Sequence, residues 1–315
     1  MAITIIVTLG LAELVLRAVY SEGMSFSDRG PLAARFERDF QFNRYDGPSR
    51  GPEVTGPKGD DRVRILIQGD SITWGKGIRN ESSLYSSLLR ERLRSINPGV
   101  EVAVLASPGR EIDGHLAQLR KWGEEIAPDI VIYQWYVNDL ELDKSHRPDY
   151  GRWWRRFIFP GFITERSYLW YLLNYRIGMS IQTIPYQDYM REHFNTDTRN
   201  WSLFVEQFHA WAIEAKRLTP NVLIAFYPYL LAPPEVPLLE FNALMEELSQ
   251  KEGIAVIDLM EALDAFRDDL TKIYASPFDA HPNAAAHDLI AGALYDRIGA
   301  LWPDVLHPPP PRRPH

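Results

Sequence analysis

Five short, almost wholly apolar runs recur along this 315-residue chain, most of them followed by a stretch with helical spacing. The runs are VRILIQ (63–68), VEVAVLA (100–106), DIVIYQWY (129–136), NVLIAFYP (221–228) and IAVIDL (254–259). A strand with one solvated face alternates apolar and polar residues, whereas a run apolar throughout is covered on both faces. Amphipathic stretches occupy 82–96, 111–126, 201–218, 237–253 and 283–298, the first with Leu84, Leu88, Leu89 and Leu93 on one side. Such alternation predicts an α/β fold, a five-stranded parallel sheet with helices on both faces. There is no internal repeat in the sequence.

Ligands of an open parallel sheet gather at the carboxyl ends of its strands. That rule selects Asp70 and Ser71 after the first run, Gly109 after the second, Asn138 and Asp139 after the third, and DAHPN (279–283) after the fifth. Ser71, in QGDSITWG, reads equally as a helix N-cap or as a nucleophile. The surroundings are not G-x-S-x-G, so the strained elbow of the α/β-hydrolases is not indicated. A serine nucleophile needs a base, an orienter for that base and donors for an oxyanion. His281 is a candidate base. Asp279, two residues earlier, can share one side of an extended chain with it and hold the far imidazole nitrogen. Either Asp279 or Asn283 could instead cap the closing helix, but Asn283 suffices for that. His287, on that helix, reads as a packed core residue. Gly109 sits where the backbone must turn or approach something closely. Asn138 can offer an amide N–H to developing negative charge, or can cap a turn.

The bulk properties exclude more than they select. A net charge of -8 gives no footprint for nucleic acid. The absence of cysteine removes disulfides, thiol catalysis and thiolate metal sites. One D-x-H spacing without further clustered ligands is weak as a metal site, and no cofactor is called for.

The ordered blocks GDSITWG, the glycine of SPGREIDG, the VND of YVND and the D-x-H-P-N of DAHPN resemble those of the SGNH (GDSL-type) hydrolases. The lead-in FNRYDGPSRGPE is similar to a stretch preceding the first block in many bacterial members. The resemblance covers about residues 40–140 and 220–300. It implies a three-layer α/β/α sandwich with a flavodoxin-like sheet and a triad of Ser71, His281 as base and Asp279 as orienter. It also implies an oxyanion hole from the backbone N–H groups of Ser71 and Gly109 and the Asn138 amide, with Asp70 and Asp139 in support. Two departures are visible: Tyr136 replaces the usual glycine of the third block, and the last block is D-x-H rather than D-x-x-H. The expected activity is serine ester hydrolysis of a small-molecule or glycan ester, such as a carbohydrate O-acetyl ester. The alternatives are O-acyl transfer to an extracytoplasmic polysaccharide and a non-catalytic binding module.

Around this domain, expected at 61–303, lie segments of other character. Residues 1–20 are apolar up to Glu13 and Arg17, without the basic flank of a signal peptide. They read either as a packed helix or as a membrane anchor; the expectation favours an anchored, extracytoplasmic protein over a cytoplasmic one. Residues 21–60 read as irregular lead-in, and the proline-rich 304–315 as a disordered tail. An insertion at 140–200, with RWWRRFIFPGF and SYLWYLLNYRIG, is aromatic and basic. It is expected to be helical, and packing on the domain, walling the pocket and touching a membrane all remain open.

Overall fold

The computed structural model describes residues 1–25, 31–45, 47, 49–148, 152–229, 239–276 and 279–306. Helix α1 (Ala2–Val19) and the short α2 (Pro31–Phe36) precede the sheet. Strand β1 (Val63–Gly69) enters the one-turn helix α3 (Ser71–Trp74), followed by α4 (Tyr85–Ile96), β2 (Val100–Ala106), α5 (Ile112–Ile126) and β3 (Ile130–Trp135). A tight 3-10 turn, Val137–Leu140, then opens the insertion: α6 (Arg152–Ile158), α7 (Gly161–Thr164) and α8 (Tyr168–His193). The alternation resumes with α9 (Arg199–Leu218), β4 (Val222–Phe226), α10 (Leu239–Lys251) and β5 (Ala255–Asp258). The antiparallel pair β6 (Tyr274–Ser276) and β7 (Asp279–Pro282) precedes α11 (Ala284–Leu301) and α12 (Pro303–Leu306).

All five expected runs are strands, paired in parallel in the order β2-β1-β3-β4-β5. This is the flavodoxin-like order, and it places a topological switch between β1 and β3. The two-residue period sorts the side chains into two cores. Ile65, Ile67, Val102, Val104, Ile132, Leu223 and Ala225 face α4 and α11, against Leu89, Leu93, Ile290 and Leu294. Their neighbours Leu66, Ala103, Leu105, Val131, Tyr133 and Ile224 face α5, α9 and α10, against Leu119, Phe208, Trp211 and Met245. The three layers follow directly from strands with no polar face.

The lead-in has little regular structure, yet it is tied to the domain. Asn43 and Ser49 both donate to the Val104 carbonyl, at 3.0 and 3.1 Å. Arg50, almost fully buried, donates to the carbonyls of Gly75, Ile78 and Arg79 at 3.2, 2.6 and 2.7 Å, and its guanidinium lies 3.7 Å from the Phe40 ring centroid. It thereby holds the turn that follows α3. At the other end, Leu306 of the expected tail is buried in α12, and the remainder of that tail lies outside the described residues.

The insertion carries α6, α7 and α8 among its described residues, and α1 docks on it. The Glu13 carboxylate accepts from Ser167 Oγ and from the N–H groups of Tyr168 and Leu169 at 2.9 to 3.2 Å, capping the start of α8. Tyr168 Oη donates to the Tyr20 carbonyl at 2.9 Å. α1 is long and apolar enough to cross a membrane, and none of its residues is buried.

Candidate active site

The site forms at the carboxyl edge beside the β1/β3 switch. Asp70 is the N-cap of α3, its carboxylate accepting from Ile72 N–H at 3.0 Å, so Ser71 is the first helical residue rather than the cap. That position leaves the Ser71 N–H without an intrahelical acceptor and its side chain at the rim.

Asp279 and His281 reach Ser71 from the far end of the chain. The DAHPN cluster, read as extended chain after the fifth run, forms strand β7 of a small hairpin, and the two-residue period puts both side chains on one face. Gly77 makes room for this hairpin: a Cβ there would lie 2.2 Å from that of Ala275, and its φ of +90° suits glycine. Asn283 accepts from Ala286 N–H at 3.1 Å and so caps α11 alone, which leaves the carboxylate and imidazole for other work.

His281 Nε2 is 2.9 Å from Ser71 Oγ, and His281 Nδ1 is 2.5 Å from Asp279 Oδ1, which also accepts His281 N–H at 3.1 Å. Burial by itself would raise the Asp279 carboxyl, but the charge of His281 and the two N–H donors outweigh it and hold the group below its ordinary range. An ionised carboxylate only accepts, so the proton of the neutral imidazole sits on Nδ1 and Nε2 presents a lone pair to the Ser71 hydroxyl. An imidazole placed in this way can take the serine proton while the carboxylate stabilises the resulting cation.

Asn138 lies in the 3-10 turn after β3 and donates its amide to Asp70 Oδ2 at 3.3 Å. Burial raises the Asp70 carboxyl, against the opposing pull of Ile72 N–H, His281 and Asn138. Asp139 beside it is fully buried and anchors the turn: its Oδ2 accepts Tyr133 Oη at 2.7 Å and Tyr136 N–H at 3.2 Å. Gly109, in the exposed loop after β2, has φ +67° with open space where a side chain would be.

Two features lie beyond the sequence reading: the ring cluster that Tyr136 joins, and a buried histidine. Tyr136 occupies the place of the family glycine and joins a ring cluster, 6.1 Å from Tyr229 and 6.2 Å from Tyr227. Beneath Asp139 lies His115, buried on α5, with Nε2 4.0 Å from Asp139 Oδ1. Its signal was available, since Ile112, His115, Leu116 and Leu119 share one helical face that is otherwise apolar. His287 is the packed residue expected: its Nδ1 accepts Tyr85 N–H at 3.0 Å, and burial pushes the imidazole down to about 3.

The family model described as GDSL-like lipase/acylhydrolase matches residues 67–289. Among solved structures, a catalytic mutant of an acetylxylan esterase from Geobacillus stearothermophilus is similar at TM-score 0.51 and 16% identity, over 78% of this chain and 98% of that chain. An α/β hydrolase enzyme from the metagenome of Lake Arreo, Spain, is similar at TM-score 0.48 and 17% identity, over 76% of this chain and 96% of that one. No curated protein sequence matches. At 16% identity, the likeness to the acetylxylan esterase mutant speaks for the fold alone.

Proposed function

Because this chain belongs to the GDSL-like lipase/acylhydrolase family and is an ester-bond hydrolase, we propose that it works through a serine acyl-enzyme on a small acyl ester, with Ser71, His281 and Asp279 as the triad. The observation that carries this reading is the unbroken pair of contacts from Ser71 Oγ through the imidazole to Asp279, at 2.9 and 2.5 Å. Ser71 attacks the ester carbonyl as His281 takes its proton, and His281 then protonates the leaving alcohol. Water attacks the acyl-enzyme with the same histidine as base. The oxyanion is held by the N–H groups of Ser71 and Gly109 and by the Asn138 amide, which Asp70 orients through its second oxygen.

The alcohol portion is a sugar. Support for this comes from Tyr136 and Tyr229, half-buried rings stacked at 6.1 Å just beyond the ends of β3 and β4, which pair apolar faces with hydroxyls. Hydrolysis of p-nitrophenyl acetate, of longer-chain esters and of acetylated xylo-oligosaccharides tests the reading. Ser71→Ala is expected to abolish turnover of acetate, and Asn138→Ala to lower it by about 10²–10³-fold. Acetate turnover that survives Ser71→Ala would overturn the mechanism. Acetyl appearing on an added sugar rather than in water would replace hydrolysis by transfer.

A further inference from the structure

Among the described residues outside α1, the large apolar side chains left in solvent are unevenly distributed. Phe157, Ile158, Phe162, Leu173 and Ile177 fall within one stretch of α6 to α8, with Phe157 81% exposed and Phe162 66% exposed. The remaining ones, Phe42, Ile96 and Ile213, are scattered singly, as on any soluble surface.

The packing of α8 shows why the five belong together. Its Tyr168, Tyr171, Leu172 and Tyr175 share one cluster with Leu16 and Tyr20 of the α1 end of the chain, around Met24 and Leu32. A second face takes α6: Phe159 lies 5.5 Å from Trp170, and Arg155 donates to Asn174 Oδ1 at 3.1 Å. Gly178, on the same face, would carry a Cβ 2.4 Å from the Arg155 guanidinium. At about 100° per residue, Leu173, Arg176 and Ile177 point away from both partners. The exposed side of α8 is therefore bordered by α1 on one edge and by α6, with Arg156, Phe157 and Ile158, on the other. Glu13 and Arg17, the only charges within α1, are drawn toward the start of α8: Glu13 caps it, and Arg17 donates to the Arg166 carbonyl at 2.5 Å. Residues 1–11 are exposed and carry no charged side chain.

Charge selects the occupant. Residues 152–178 contain Arg152, Arg155, Arg156, Arg166 and Arg176 against Glu165 alone, in a chain whose net charge is -8. A second copy of the same basic face would be repelled, whereas a lamella of anionic headgroups would be attracted. We propose that α1 and the outer faces of α6, α7 and α8 form one continuous surface that docks on an anionic phospholipid bilayer, with Phe157, Ile158 and Phe162 at the acyl boundary and the exposed Arg156, Arg166 and Arg176 among the phosphates.

The chain has no cysteine, so single cysteines introduced into the full-length protein can carry a polarity-sensitive dye. Phe157→Cys and Phe162→Cys report on the surface, and Ile213→Cys, an exposed position on α9, serves as the control. With vesicles of phosphatidylcholine and about 30% phosphatidylglycerol, the dyes at 157 and 162 are expected to shift to the blue and to be quenched by brominated lipid, while that at 213 does not respond. The double variant Arg156→Glu, Arg166→Glu is expected to lower partitioning onto these vesicles at least about tenfold while leaving p-nitrophenyl acetate turnover intact. Protein that binds vesicles through α1 while the dyes at 157 and 162 stay aqueous overturns the proposal. So does a blue shift that follows protein concentration in the absence of lipid, which would mark self-association.

Discussion

Asp279 and His281 meet at 2.5 Å beside Ser71 with the imidazole 27% exposed, whereas Asp139 and His115 are 4.0 Å apart and wholly buried. The residue types are the same, but the two carboxyls are pushed in opposite directions. At the rim, two N–H donors and the neighbouring imidazole offset the burial of Asp279, so its carboxyl is held low. In the interior, burial and then the charge of Asp70 push the Asp139 carboxyl well up, and burial with the nearby Arg110 charge pushes His115 down to about 3. The inner pair is therefore neutral, an acid and an imidazole that fill space and fix a turn. An aspartate and a histidine act as a charged couple only where donors reach the carboxylate and water reaches the ring.

Three experiments test that contrast. Asp279→Asn replaces an acceptor-only group by an amide that can donate to Nδ1, which favours the wrong imidazole tautomer; kcat for p-nitrophenyl acetate should fall about 10⁴-fold. A loss of less than tenfold would erase the distinction between the pairs. Acid unfolding comes next. Between pH 6.5 and about 3 the unfolded chain binds protons at His115 and His287 that the folded protein refuses, so stability declines as pH falls through that window. Asp279 adds to the decline lower down, because its stabilisation is present above its unfolded value of 3.8 and disappears as pH falls through its lower folded value. Asp139 runs the other way and opposes folding as pH rises above 3.8. Denaturant midpoints at pH 7 and 4.5 should thus differ less in His115→Gln than in the wild type; an unchanged difference would mean that the ring is already charged. The smallest effect belongs to Asp139→Asn. Its amide oxygen can still accept from Tyr133 Oη and Tyr136 N–H, so acetate turnover should remain within about tenfold of the wild type. A loss comparable with that of Asp279→Asn would give the inner pair a charge.

What the sequence disclosed follows the same physical division. The five strands were legible because burial on both faces demands runs such as VAVLA and IVIYQW, which few other structures tolerate. The relation of Asp279 to His281 was legible because a spacing of two on extended chain fixes a common side, and Asn283 removed the competing role. The hairpin itself was not: YAS and DAHP are too short to show alternation, and their pairing depends on Gly77, 200 residues upstream, leaving space. Helix α8 runs through Pro185, where the pattern alone signals a break, because the contacts of α1 and α6 hold its first turns and the Tyr189, Met190 and Phe194 side chains hold its end in the core. The burial of Arg50 was invisible for another reason. Its guanidinium is hidden because the carbonyls of Gly75, Ile78 and Arg79 converge on it, a meeting that the residues next to Arg50 do not encode.

Ser71 and His281 are separated by 210 positions in the chain, yet they share one hydrogen bond. Their encounter therefore has a date as well as a place. On a ribosome adding about 5–20 residues per second, the serine waits roughly 10 to 40 s for its histidine to be made. During that interval α1 and the arginine-rich helices already exist. Under the proposed bilayer docking, a nascent chain would reach its surface before it can cleave anything, and so acquire an address before it acquires its chemistry.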